Sequence, residues 1–200
     1  MFLLIISFYT DTMKRNKFIA TSLFAALLPF SAFTKPLKIK SRNDKGFKIK
    51  AGEGRLHGHL TLKGVNANII DVKISGKDTD GDLALFEQTG LTPGKGTPLH
   101  IHPFQDEIFY VLKGEYYFQV GEDKFYLKEG ESIFLPRKIP HAWTQVSKKS
   151  KTLVLLQPGG KLEDFFVTLA SLKNEPTQEE IKKLFADNDM QIVGPPLKVV

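Results

Sequence analysis

The sequence predicts an all-β sandwich or barrel followed by two short helices. Three observations carry that reading. From residue 55 to residue 156, short apolar stretches are broken at near-regular spacing by turn-forming residues. After Gly160 the apolar period changes from alternation to helical spacing. Sixteen Phe and sixteen Gly in 200 residues suit an aromatic-packed, turn-rich β fold better than a helix bundle.

Taken in order, residues 1–34 read as a secretory signal. Met13 opens a basic start (Lys14, Arg15, Lys17), an apolar run extends from Phe18 to Phe30, and small or polar residues follow before Lys35. Met13 can be the true start, with cleavage expected near Ala32–Thr34. A retained membrane anchor is the alternative, against which stand the short run and Pro29. Export, to a periplasm or the medium, is the localisation expected, with no stable membrane span once the signal is removed. Residues 35–50 are basic and polar and lead into the first strand.

Strands are expected at 56–62, 67–75, 82–89, 98–102, 106–112, 115–120, 124–127, 132–135, 141–146 and 151–156, divided by turns such as "GKDTDGD", "TPGKG" and "VGEDK". Many short strands of this kind point to a sandwich or barrel. "GGKLEDFFVTLASLK" then places Leu162, Phe165, Phe166, Leu169 and Leu172 at helical spacing. "PTQEEIKKLFADND" opens with Thr177 and Glu180 in a capping-box arrangement. "GPPLKVV" closes as an extended tail. The organisation expected is a signal over 1–34, a barrel with an N-terminal arm over 35–160, and packed helices with a tail over 161–200.

Composition excludes several functions. There is no Cys, hence no disulfide framework, thiolate metal site, cysteine nucleophile or lipid-modified N-terminal Cys. The net charge is +6. Residues 1–34 hold three of the 28 Lys/Arg and one of the 22 Asp/Glu, so the remainder carries +4. The lysines are scattered among acids rather than gathered in a block, and no nucleic-acid partner is expected. No phosphate-cradling Gly loop or nucleophile elbow occurs.

The chemistry-bearing stretch is "PLHIHPFQDEIFYVLKGE", residues 98–115. Alternate side chains of a strand share a face, so His100 and His102 point the same way. If the strand opened by Glu107 pairs beside them, two imidazoles and a carboxylate converge, and His141 is a fourth candidate. Asp106 competes with Glu107, but alternation sends it to the opposite face. Such N and O donors suit one divalent transition metal: Fe, Mn, Co, Ni, Cu or Zn. A bare H-x-H is more often a pair of surface histidines. His57 and His59 form a second one with no acid or third His at useful spacing, and read as part of a strand near the barrel edge.

Spacing separates the two cases. Gly94, His100, His102, Glu107 and Gly114 follow the pattern G-x5-H-x-H-x4-E-x6-G, which resembles the first motif of the cupin superfamily in full. Gly130, Pro136 and His141 resemble the second motif, G-x5-P-x-G-x2-H-x3-N, with Lys138 where the family usually has Gly and Gln145 where it usually has Asn. A looser similarity from about residue 47 to 197 is to single-domain cupins labelled quercetin-dioxygenase-like. The resemblance implies a jelly-roll β-barrel holding a metal through His100, His102, Glu107 and His141. It also implies a dioxygenase acting on a small phenolic or enolic substrate, with Glu107 as ligand and proton acceptor, and a homodimer formed through residues 35–62. A non-catalytic sugar- or small-molecule-binding cupin, or a metal-dependent isomerase or lyase, is the alternative. Phe109 shares parity with Glu107, and Trp143 and Gln145 share parity with His141. These three, with Phe118, are the candidate substrate-pocket residues, and ordinary core packing is the competing reading for the aromatics.

Overall fold

The computed structural model describes residues 42–199. They fall in one unit, Lys40–Val200. The expected signal segment and the first residues of the arm lie outside the described residues. No helix among the described residues is long and apolar enough to cross a membrane.

The described residues build eleven strands: β1 Leu56–Thr61, β2 Ile69–Ile74, β3 Ala84–Gly90, β4 Pro98–Ile101, β5 Asp106–Lys113, β6 Tyr116–Val120, β7 Asp123–Leu127, β8 Ser132–Leu135, β9 His141–Gln145, β10 Ser150–Gln157 and β11 Gln191–Pro196. Two helices, α1 Leu162–Ser171 and α2 Gln178–Asp187, lie between β10 and β11. The strands form a six-stranded sheet in the order β1-β2-β3-β10-β5-β8 and a five-stranded sheet in the order β11-β4-β9-β6-β7. All pairings are antiparallel, and the two sheets face each other in the manner of a jelly roll.

Alternation sets the interior. β3 and β10 bury every second residue, and β5 buries Glu107, Phe109 and Val111 while Ile108 and Tyr110 face out. Cross-strand register stacks these residues in three levels. Ala84, Leu156, Glu107 and Leu135 share the first. Phe86, Val154 and Phe109 share the second, and Gln88, Thr152 and Val111 the third. On the facing sheet, His141 pairs with His100, Trp143 with Phe118 and Gln145 with Tyr116. The middle level is aromatic: Phe109 and Phe118 rings are 5.1 Å apart edge-on, and Phe109 and Trp143 are 6.2 Å apart. At about 3.3 Å per residue, the four residues from Glu107 to Val111 separate the first and third levels by ~13 Å.

Gly114 marks where the chain leaves β5 in one sheet to begin β6 in the other. Its φ of +81° suits glycine, and a Cβ there would come within 2.5 Å of the Lys149 carbonyl oxygen. α1 lays Leu162, Phe165, Phe166 and Leu169 onto the core, and Phe166 meets Phe86 at 5.2 Å. The capping box of α2 forms as the sequence predicts: Thr177 Oγ1 accepts from the Glu180 amide, and Glu180 Oε2 accepts from the Thr177 amide at 2.7 Å. One element departs from expectation. Part of the C-terminal stretch read as an extended tail is β11, an edge strand paired to β4. Pro195 and Pro196 lack the N–H that a central strand needs, and an edge strand tolerates that loss.

Candidate metal centre

β4 and the residue after it place His100 and His102 on one interior face. β5 brings Glu107 from the opposite sheet, and β9 opens with His141 beside His100. All four side chains are buried, and one ligand atom from each lies within 4.8 Å of every other. The Glu107 carboxylate oxygen Oε2 is 3.3 Å from His141 Nε2 and 3.8 Å from His102 Nε2.

Outer partners orient the imidazoles. His100 Nδ1 is 2.9 Å from the Pro98 carbonyl oxygen, and His141 Nδ1 is 3.0 Å from that of Ile139. A carbonyl can only accept, so each Nδ1 carries the proton and each Nε2 lone pair is left for the interior. The His102 ring is hydrogen-bonded to the buried side chain of Gln105. Burial, followed by the neighbouring His141 and His102, pushes the His100 pKa well below 6.5. Burial, followed by His141, lowers His102 to about 3, with Gln105 opposing. Both imidazoles are therefore neutral at physiological pH, the form that binds a metal.

These residues fit a divalent transition ion. His141 Nε2 is buried without a hydrogen-bond partner, a cost that a bound cation removes. Three neutral nitrogens and one carboxylate are the donor set such ions accept. Donors on one ion, at ~2.0–2.2 Å each, are at most about 4 Å apart. A small inward rotation of the rings closes the difference from 4.8 Å.

Asp106, the competing acid, points away and pairs with Arg137, whose Nε donates to both carboxylate oxygens at 3.1 Å. The hydrogen bonds from Arg137 hold the Asp106 pKa below its usual value. Lys138, in the position of the second motif's usual Gly, adopts φ +68° and keeps the turn, its amide donating to the His102 carbonyl at 2.9 Å. His57 and His59 are on β1, at the edge of the six-stranded sheet, where they pair with Glu163 and Asp71.

A cavity of about 40 Å³ is lined by three of the four donors, His100, His102 and Glu107. Phe109 and Trp143 line it. Phe118 and Gln145 do not: Phe118 packs behind Phe109, and Gln145 belongs to the third level. The cavity also takes Gln88 from β3, Phe165 and Phe166 from α1, and Phe185 from α2, none of which the sequence reading placed in the pocket. For Phe165 and Phe166 the signal was their helical spacing, which gives a buried face but not what it covers. Gln88 lies in an ordinary alternating strand, and Gln105 in a loop, so neither stands out in the sequence.

Residues 88–159 match the family model of the Cupin domain. An uncharacterized protein of Methanocaldococcus jannaschii is 40% identical over 48 residues, 24% of this chain and 38% of that protein, so the match spans well under half of the relative. Among solved structures, an RmlC-like cupin from Shewanella frigidimarina aligns at 17% identity and a TM-score of 0.48, over 62% of this chain and 98% of that one. A predicted oxalate decarboxylase from Thermotoga maritima aligns at 20% identity and a TM-score of 0.41, over 46% of this chain and 80% of that one. The match to the Cupin domain model covers the segment of the two antiparallel sheets that carries His100, His102, Glu107 and His141.

Proposed function

We propose that the protein is a metal-dependent oxidoreductase of dioxygenase type acting on a small phenolic or enolic compound. One observation carries the reading: of four buried, convergent metal-type donors, His100, His102 and Glu107 line a cavity with aromatic walls. A divalent transition ion held by His100, His102, Glu107 and His141 would supply redox chemistry toward O₂ and positive charge for an enolate oxygen. The chain supplies the rest. Glu107 Oε2, in reach of the cavity, accepts the proton of the substrate hydroxyl. Phe109 and Trp143 flank the substrate ring, and Phe165, Phe166 and Phe185 exclude bulk water. The size of the cavity favours small enols over multi-ring flavonols, which would require α1 to shift.

Oxygen uptake by metal-loaded protein, on a panel running from small enols to flavonols, tests this. Uptake that depends on a small enol or phenol, and is lost in Glu107→Gln, is expected. Turnover of an enol without oxygen uptake would make the protein an isomerase or lyase. Binding of a sugar without turnover would make it a carrier.

Export and self-association belong to the same proposal. The segment Met13–Thr34 has the layout of a signal, and cleavage is placed near residues 32–34. β1, within the proposed arm 35–62, is an edge strand, whose free backbone groups can meet a second copy.

A further inference from the structure

The end of the barrel away from the metal-type donors gathers positive charge. Lys151 and Lys113 are cross-strand partners on β10 and β5, at the far end of those strands from the Leu156–Glu107 pair. The bend before β10 adds Lys148 and Lys149. Together with Thr89 of β3, the four lysines line an open groove of about 400 Å³, none of whose walls is acidic. Like charges directly opposite each other in a sheet repel. Lys151 is relieved by Glu87 at 2.5 Å, but that carboxylate is shared with Lys73 at 3.3 Å. Lys113, Lys148 and Lys149 have no acidic partner among the described residues. Lysines on and beside the helices do have one: Lys161 meets Asp189, Lys182 meets Glu179 and Lys183 meets Asp187.

The backbone braces the cluster. The turn at Gly114 and the bend at residues 147–149 are in close contact: a Cβ on Gly114 would lie 2.3 Å from Ser147 Oγ. The Glu115 amide donates to Ser147 Oγ at 2.8 Å, and the Val146 amide to the Glu115 carbonyl at 2.9 Å. Buried Gln145 donates from Nε2 to the Ser147 carbonyl at 2.7 Å. The lysine stems start from this frame, so their charge is concentrated on the groove before any ligand arrives. An ammonium group is a compact point charge with three donors and no acceptor. It selects anionic oxygens rather than the shape of a ring. Three ammonium groups without acidic partners, around one groove, match an anion of two or more charges. The volume of the groove is in the usual range for a small ligand. Acids are interspersed among the other lysines of the chain, which favours a small anion over a long polyanion.

We propose that Lys113, Lys148, Lys149 and Lys151, with the Thr89 hydroxyl, form a binding site for a small anion carrying two or more charges on phosphate or carboxylate oxygens. The site is separate from the metal centre and does not rest on the dioxygenase reading.

Calorimetric titration of the full protein at low ionic strength, with inorganic phosphate and with succinate, tests it. Saturable one-to-one binding of at least one of the two is expected. Two charge-assisted hydrogen bonds are lost in Lys113→Gln/Lys149→Gln, which should weaken that binding about 10-fold or more. Lys182→Gln, on α2, removes the same charge elsewhere and is expected to bind as the parent does. Tighter binding of phosphate identifies the class as phosphate-bearing, and tighter binding of succinate as polycarboxylate. No saturable binding of either anion, or equal weakening in Lys182→Gln, overturns the proposal. Thermal unfolding gives an independent reading. With no added anion and at low salt, Lys113→Gln should raise Tm by relieving its repulsion with Lys151. An unchanged or lowered Tm means that the lysines do not repel one another, and contradicts the proposal.

Discussion

His100, His102 and His141 each have an outer partner that leaves a lone pair for the interior: two backbone carbonyls and the Gln105 side chain. Of these, only Gln105 can be removed by substitution. Gln105→Ala should weaken metal affinity about 10–100-fold, read by competition with a chelator, while the circular dichroism of the fold is unchanged. Affinity equal to that of the parent would show that Gln105 does not orient His102. Lys138 is the other residue whose cost is local. A non-glycine residue in the left-handed region costs about 1–2 kcal/mol, and glycine returns about 0.5–1 kcal/mol of that as lost chain entropy. Lys138→Gly is therefore expected to stabilise the protein by about 0.5–1 kcal/mol in urea unfolding. A loss of stability would place the Lys138 side chain in a role its turn does not explain.

At the scale of strands, Glu87 ties three of them together. It accepts from Lys151 of β10 at 2.5 Å and lies 3.3 Å from Lys73 of β2. Burial raises its pKa, but the hydrogen bonds and charges of Lys151 and Lys73 outweigh that and hold it below the ordinary 4.5. A carboxylate depressed in the folded state stabilises above its unfolded pKa, and that stability is lost as pH falls through the folded value. The Tm gap between the parent and Glu87→Gln should therefore be full at pH 6–7 and shrink once the pH falls below about 4.5. A gap constant with pH would mean that the ion pairs contribute nothing. The same strands show what the sequence made legible. The ten strands before α1 are where alternation and turn residues put them, and parity correctly separated inward Glu107 from outward Asp106. β11 escaped because its pairing is long-range and its Gly-Pro-Pro run hides the strand pattern.

For the whole molecule, the site exists because two sheets and two helices close over one interior. Spacing made the four donors legible, since each had to recur at a fixed place on a strand. The walls of the cavity were only partly legible. Phe109 and Trp143 follow from parity, whereas Phe165, Phe166 and Phe185 arrive from helices whose docking no local pattern records. Phe118 and Gln145 have the right parity but lie behind or beyond the cavity, a distinction of depth along the barrel that alternation cannot make.

The central claim is that His100, His102, Glu107 and His141 hold one transition ion. Elemental analysis of protein purified without a His-tag tests it most directly, comparing the parent chain with His100→Ala/His102→Ala. The account predicts one divalent transition ion per parent chain and background metal in the double variant; equal metal content in the two would contradict it.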